Sequence, residues 1–117
     1  MVPVDARLTD TPPVATEAGA LAIIVVTADV ERWRAAAAIA QANAALGRRT
    51  ALYLHEAATG LLAEDDGAIA GMLEMGVRLV ACQTGLAALG LALPPEIEAG
   101  GLVSFLAETG EERLIAV

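Results

Sequence analysis

The sequence predicts a single α/β domain, a three-layer α/β/α sandwich built around a mainly parallel sheet. Three observations carry that prediction. Apolar, β-branched runs alternate with helical segments along the chain. The first run, Leu21-Ala22-Ile23-Ile24-Val25-Val26-Thr27, is almost wholly apolar, as expected of a strand covered on both faces in a parallel sheet. No internal repeat or linker divides the 117 residues, a length that suits one core. Parallel strands need crossovers, and right-handed crossovers wind helices onto both faces of the sheet.

The elements follow in order. Residues 1–19 hold Asp5, Arg7, Asp10, Glu17 and three prolines, with no apolar stretch behind a basic start, so they are expected to form a mobile arm rather than a secretory signal. Residues 20–117 form the domain. After the first strand, Asp29 offers an N-cap to a helix over 30–46, in which Ala35, Ile39, Ala42 and Leu46 share one face while Arg34 and Gln41 lie on another. Gly47 suits the end of that helix.

Residues 50–55, Thr-Ala-Leu-Tyr-Leu-His, read as the second strand, and 56–62 as a loop or short helix. The acids Glu64, Asp65 and Asp66 suit the start of a helix that buries Ile69, Met72 and Leu73 and stops at Gly76. A third strand over 77–81 ends at Cys82, and 83–90 begins another helix. Pro94 and Pro95 break the chain, 96–100 holds at most a very short strand, and a helix over 102–108 turns Leu102, Phe105 and Leu106 inward before a last strand over 113–117.

Composition removes several function classes. Fifteen acids against seven arginines, with no lysine, give a net charge of −8, the opposite of the footprint that phosphate backbones require. A lysine-free chain has neither a phosphate-loop lysine nor a Schiff-base amine, and the turn after the first strand lacks a Gly-x-Gly-x-x-Gly fingerprint. Neither nucleic acid nor a nucleotide cofactor is expected. One cysteine and one histidine make no metal-ligand spacing, so no metal is expected, and paired acids such as Glu111-Glu112 read as solvated. The longest apolar run is far short of the roughly 18 residues that cross a bilayer, so no membrane association is expected. The single cysteine fits a reducing, cytoplasmic setting. A hydrophobic content of 56%, mostly alanine and aliphatic, points to self-association.

Chemistry in an open parallel sheet gathers beyond the carboxyl ends of the strands. Thr27 and Asp29, His55 and Glu56, and Cys82 with Gln83 and Thr84 reach that edge. Cys82 has the best placement, because the amides of Gln83, Thr84 and Gly85 at a helix start favour a thiolate. The competing reading makes it a small packing hydrophobe at a strand end. His55 and Glu56 suggest a base and its orienting carboxylate, against the alternative of a structural histidine. With a second-first-third strand order, His55 and Cys82 stand two strand spacings apart, roughly 10 Å, and need a substrate or neighbouring subunit between them.

The segment Gly76-Val77-Arg78-Leu79-Val80-Ala81-Cys82-Gln83-Thr84-Gly85-Leu86-Ala87-Ala88-Leu89-Gly90-Leu91, with the Ala-rich first helix and the Tyr53-Leu54-His55 strand, resembles the DsrE/DsrF-like family of small sulfur-relay proteins. The resemblance runs over about residues 21–117 and departs between Leu91 and Gly101, where the family's fourth strand is usually recognisable. It implies a flavodoxin-like sheet, assembly into trimers or hexamers, and a persulfide-carrying cysteine at the position of Cys82, with sulfur donor and acceptor proteins as partners. The expectation is therefore a sulfurtransferase-like carrier acting through Cys82, supported by His55, Glu56, Gln83, Thr84 and Gly85. The alternative is a non-catalytic, homo-oligomeric module that binds a small ligand or partner.

Overall fold

The computed structural model of the chain describes residues 19–65 and 67–117. The arm expected over 1–19 lies outside the described residues except for Gly19, as does Asp66. Five parallel strands, β1 (Leu21–Val25), β2 (Thr50–Leu54), β3 (Arg78–Cys82), β4 (Glu98–Gly100) and β5 (Arg113–Ala116), form one sheet. Between them run α1 (Val30–Ala45), a 3-10 helix (Glu56–Glu64), α2 (Ala68–Glu74), α3 (Gln83–Leu89) and α4 (Leu102–Thr109). The fold class is the α/β sandwich that the alternating pattern predicts.

The strand order is β4-β3-β2-β1-β5, which corrects the second-first-third expectation. Each crossover from β1 to β4 steps in one direction, so right-handed connections place α1, the 3-10 helix, α2 and α3 on one face. The last crossover runs back across the whole sheet from β4 to β5, and the same handedness carries α4 to the other face. The alternation of the strands divides the core accordingly. Leu21, Ile23, Val25, Leu52, Leu54, Leu79 and Ala81 pack beneath the first helical layer. Ala22, Ala51, Tyr53, Val80 and Cys82 face α4 through Phe105 and Leu102.

Local signals explain most boundaries. Asp29 caps α1 by accepting from the Arg32 amide at 2.9 Å, and Gly47, at φ +79°, takes the left-handed turn after it. Asp65 accepts from the amides of Gly67 and Ile69 and so starts α2, whose Met72 is fully buried. The buried stripe of α1 departs from expectation: Trp33, Ala36, Ala37, Ala40 and Asn43 face the sheet, whereas Ile39 and Leu46 are exposed. Alanines let the helix approach the strands closely, and one large side chain, Trp33, fills the remaining space. Asn43 is tolerated there because its amide donates to the Gly19 carbonyl and the Thr50 hydroxyl. On α4, Phe105 is buried as expected, but Leu106, expected to face inward, is exposed.

Candidate active site

The carboxyl edge of the sheet brings β2, β3 and β4 side by side, with Leu54 in register with Ala81 and Cys82 in register with Gly100. His55 and Cys82 thus follow the ends of adjacent strands, not strands separated by a third. The expected 10 Å gap between them is an error of strand order. Both line a cavity of about 150 Å³ together with Tyr53, Glu56, Gln83, Thr84, Gly100, Gly101 and Leu102.

Cys82 is the last residue of β3 and the N-cap of α3, and only 5% of its surface is exposed. Burial by itself raises the thiol pKa. It is overcome by hydrogen bonds from the Thr84 and Tyr53 hydroxyls and from the backbone amides of Gly85 and Glu56, which together bring the thiol down to about 7. Thr84 Oγ1 lies 3.0 Å from Sγ. The Glu56 carboxylate stands 3.9 Å from the sulfur, where it accepts from the neutral thiol, and 3.3 Å from the Thr84 oxygen, whose single proton serves either the carboxylate or the sulfur anion. That carboxylate can take the proton of the neutral thiol, leaving the Thr84 hydroxyl to join the other donors on the sulfur anion.

Two backbone features position these groups. Glu56 is the one described non-glycine residue with positive φ, +48°. This turn, directly after β2, brings the Glu56 amide to Cys82, and such backbone strain concentrates at sites that use it. The Glu56 carbonyl accepts from the buried Thr59 hydroxyl at 2.9 Å and faces the Cα of Gly85. A Cβ at Gly85 would collide with that carbonyl, so only glycine permits α3 and the 3-10 helix to approach this closely beside Cys82.

Tyr53 is the cavity-lining partner of Cys82 that sequence reasoning missed. It is 1% exposed, its ring packs on Phe105 at 5.2 Å and near His55 at 6.2 Å, and burial followed by the bond to Cys82 raises its pKa well above the ordinary tyrosine value. A raised phenol pKa keeps it a donor to the thiolate. Its two-residue offset from His55 was a signal, but only knowledge that β2 and β3 are neighbours turns that offset into a contact. His55 lines the cavity, while its buried Nδ1 has no hydrogen-bond partner among the described residues. Gln83 and Thr84 are exposed at the cavity rim, as their place at the start of α3 implies. Thr27 and Asp29 do not line this cavity, and Asp29 is the cap of α1.

No family model matches the chain, and no curated protein is significantly similar to it. Among the described residues, no three His, Cys, Asp or Glu side chains group to hold a metal ion, and no helix is long and apolar enough to cross a membrane.

Proposed function

We propose that the chain is a single-cysteine sulfur carrier in which Cys82 accepts a sulfane sulfur and passes it on, the role that the DsrE/DsrF-like resemblance implies. The Cys82 thiolate attacks the terminal sulfur of a donor persulfide. The donor S–S bond breaks, the donor leaves as a thiol after taking up a proton, and Cys82 holds the persulfide. An acceptor thiolate then attacks the terminal sulfur, and the Cys82 thiolate departs. The observation that carries this reading is a sulfur with Thr84 Oγ1 3.0 Å away, whose thiol is held down to about 7 by hydrogen-bond donors, beside a cavity. Those donors stabilise the same thiolate as nucleophile in the first step and as leaving group in the second. The His55 ring, which lines the same cavity, supplies the proton to the departing thiol.

The low exposure of Cys82 favours a second reading, a homo-oligomeric module in which the cavity holds a small ligand against His55, Glu56 and Gln83 without chemistry. Incubation with a persulfide donor separates the two. The carrier gains the mass of one sulfur atom on Cys82, and Cys82→Ser gains none; an unmodified wild-type chain leaves the binding module.

Self-association into a trimer or hexamer belongs to both readings. It is supported by an apolar groove of about 390 Å³ between α1 and β5, lined by Ile39, Leu46 and Ile115, and by exposed Val103 and Leu114 beyond it. A cytoplasmic setting, where thiols stay reduced, suits a carrier with no second cysteine.

A further inference from the structure

A second cavity, of about 270 Å³, opens beside the first, and the two share Gln83, Gly100 and Gly101 as walls. They form one cleft that runs from Cys82 back along β3 and β4 beneath α4. Its far end is charged. Arg78 donates from Nε and Nη2 to the two oxygens of Glu98, at 2.9 and 2.7 Å, and Nη2 also donates to Glu108 Oε1 at 2.5 Å. One guanidinium thus serves two carboxylates, and Glu108 Oε2 has no hydrogen-bond partner among the described residues. Glu98 and Glu108 are each about half exposed, 52% of the side chain, so they keep access to a ligand.

The charges do not cancel along the cleft. Glu56 at the Cys82 end joins Glu98 and Glu108 at the other, against Arg78 alone. The opposing contribution is the start of α4, where Gly101 provides no side-chain cap and the first amides carry at most about half a unit of positive charge. The carboxylates outweigh it. Length is set by the register: Val80 pairs with Glu98 and Cys82 with Gly100, so two residues of strand, about 7 Å, separate the two ends.

We infer that this cleft selects amine-bearing sulfur compounds of about dipeptide length, whose sulfur meets Cys82 while the ammonium lies against Glu98 and Glu108. This rests on the reading of Cys82 as a nucleophile and names the class of its small-molecule partner. Anionic thiols and sulfur oxyanions are disfavoured by the same field.

The test uses Gly-Cys-amide activated as its 2-pyridyl disulfide, in three forms: with a free amino terminus, N-acetylated, and N-succinylated. The Cys82 thiolate attacks the peptide sulfur, the new S–S bond forms, and pyridine-2-thiolate leaves and takes up a proton to give the absorbing thione. The cysteine and the leaving group are constant and only the amino-terminal substituent changes, so the rates report the charge at that end, with the acetyl peptide as the control for blocking the amine. Relative to N-acetylcysteine amide as reference thiol, the free-amine peptide is expected to react about tenfold faster than the succinyl peptide at low salt, with the acetyl peptide between them. The preference falls by roughly threefold in Glu108→Gln and in Glu98→Gln, collapses in molar salt, and persists in Glu74→Gln on the opposite face of the sheet. Glu108→Gln alters an exposed position, and circular dichroism verifies that each variant is folded. Equal normalised rates for the three peptides, or a preference unchanged in both cleft variants, overturn the inference while leaving the nucleophile intact. Failure of Cys82 to react with any of them overturns both.

Discussion

Removing the Tyr53 hydroxyl isolates one of the four donors on the sulfur. Tyr53→Phe keeps the ring against Phe105 and deletes only the oxygen. A hydrogen bond to a charged group contributes about 1.5–3 kcal/mol, and one pKa unit corresponds to about 1.4 kcal/mol. With three donors remaining to compensate, the Cys82 thiol is expected to rise from about 7 by roughly one unit. At pH 7 the thiolate fraction then drops from about a half to about a tenth, roughly fivefold. Intrinsic nucleophilicity rises with basicity, by about threefold per unit, so the observed alkylation rate at pH 7 falls only about twofold. The midpoint of the profile is therefore the decisive quantity. Iodoacetamide alkylation followed by intact mass from pH 5.5 to 10 should give a midpoint about one unit higher in the variant, and a higher alkaline plateau. A midpoint that stays within about 0.2 units of wild type, in Tyr53→Phe and again in Thr84→Ala, refutes the donor account of the thiol.

Three other outcomes follow from the same geometry. Because folding lowers the Cys82 thiol from 9.0 to about 7, its contribution to stability is fully present above 9 and is lost as pH falls through 7. Relative to Cys82→Ser, urea unfolding of the wild type should therefore gain roughly 2–3 kcal/mol between pH 6 and 9.5, and parallel curves for the two proteins contradict the shift. Gly85→Ala forces a methyl into the Glu56 carbonyl and should cost roughly 2–3 kcal/mol in urea midpoint analysis; a neutral substitution shows that the two helices are not held at that spacing. If α1, β5 and α4 carry the subunit contacts, Leu46→Asp with Val103→Asp should lower the mass measured by light scattering to that of the monomer, and an unchanged mass places the contacts elsewhere.

What was legible in the sequence was local. The β-branched run at Leu21 and the runs ending at His55 and Cys82 announced strands, and Asp29 and Asp65 announced helix starts that the hydrogen bonds bear out. Strand order was not legible, since it depends on which crossover steps which way rather than on any one segment. That single error separated His55 from Cys82. The inward face of α1 is not legible because alanine is compatible with either side: the long residues Ile39 and Leu46 point to one face, while Trp33 and the hydrogen-bonded Asn43 take the buried stripe on another. Cys82, Glu56, Thr84 and Gly85 stand together, but two of the groups on the sulfur escaped notice. The Tyr53 hydroxyl belongs to a neighbouring strand, and the Glu56 amide depends on a left-handed backbone angle that a glutamate does not advertise.

The central claim, that Cys82 carries sulfur rather than merely holding a thiolate, is tested most directly by a single-turnover discharge. Protein loaded with labelled sulfane sulfur, freed of excess donor, is mixed with an acceptor thiol. The account predicts that close to one label per Cys82 moves to the acceptor as persulfide, that the chain returns to its unloaded mass, and that Cys82→Ser carries none. Label that stays on the protein in the presence of acceptor, or that loads equally well on Cys82→Ser, contradicts it.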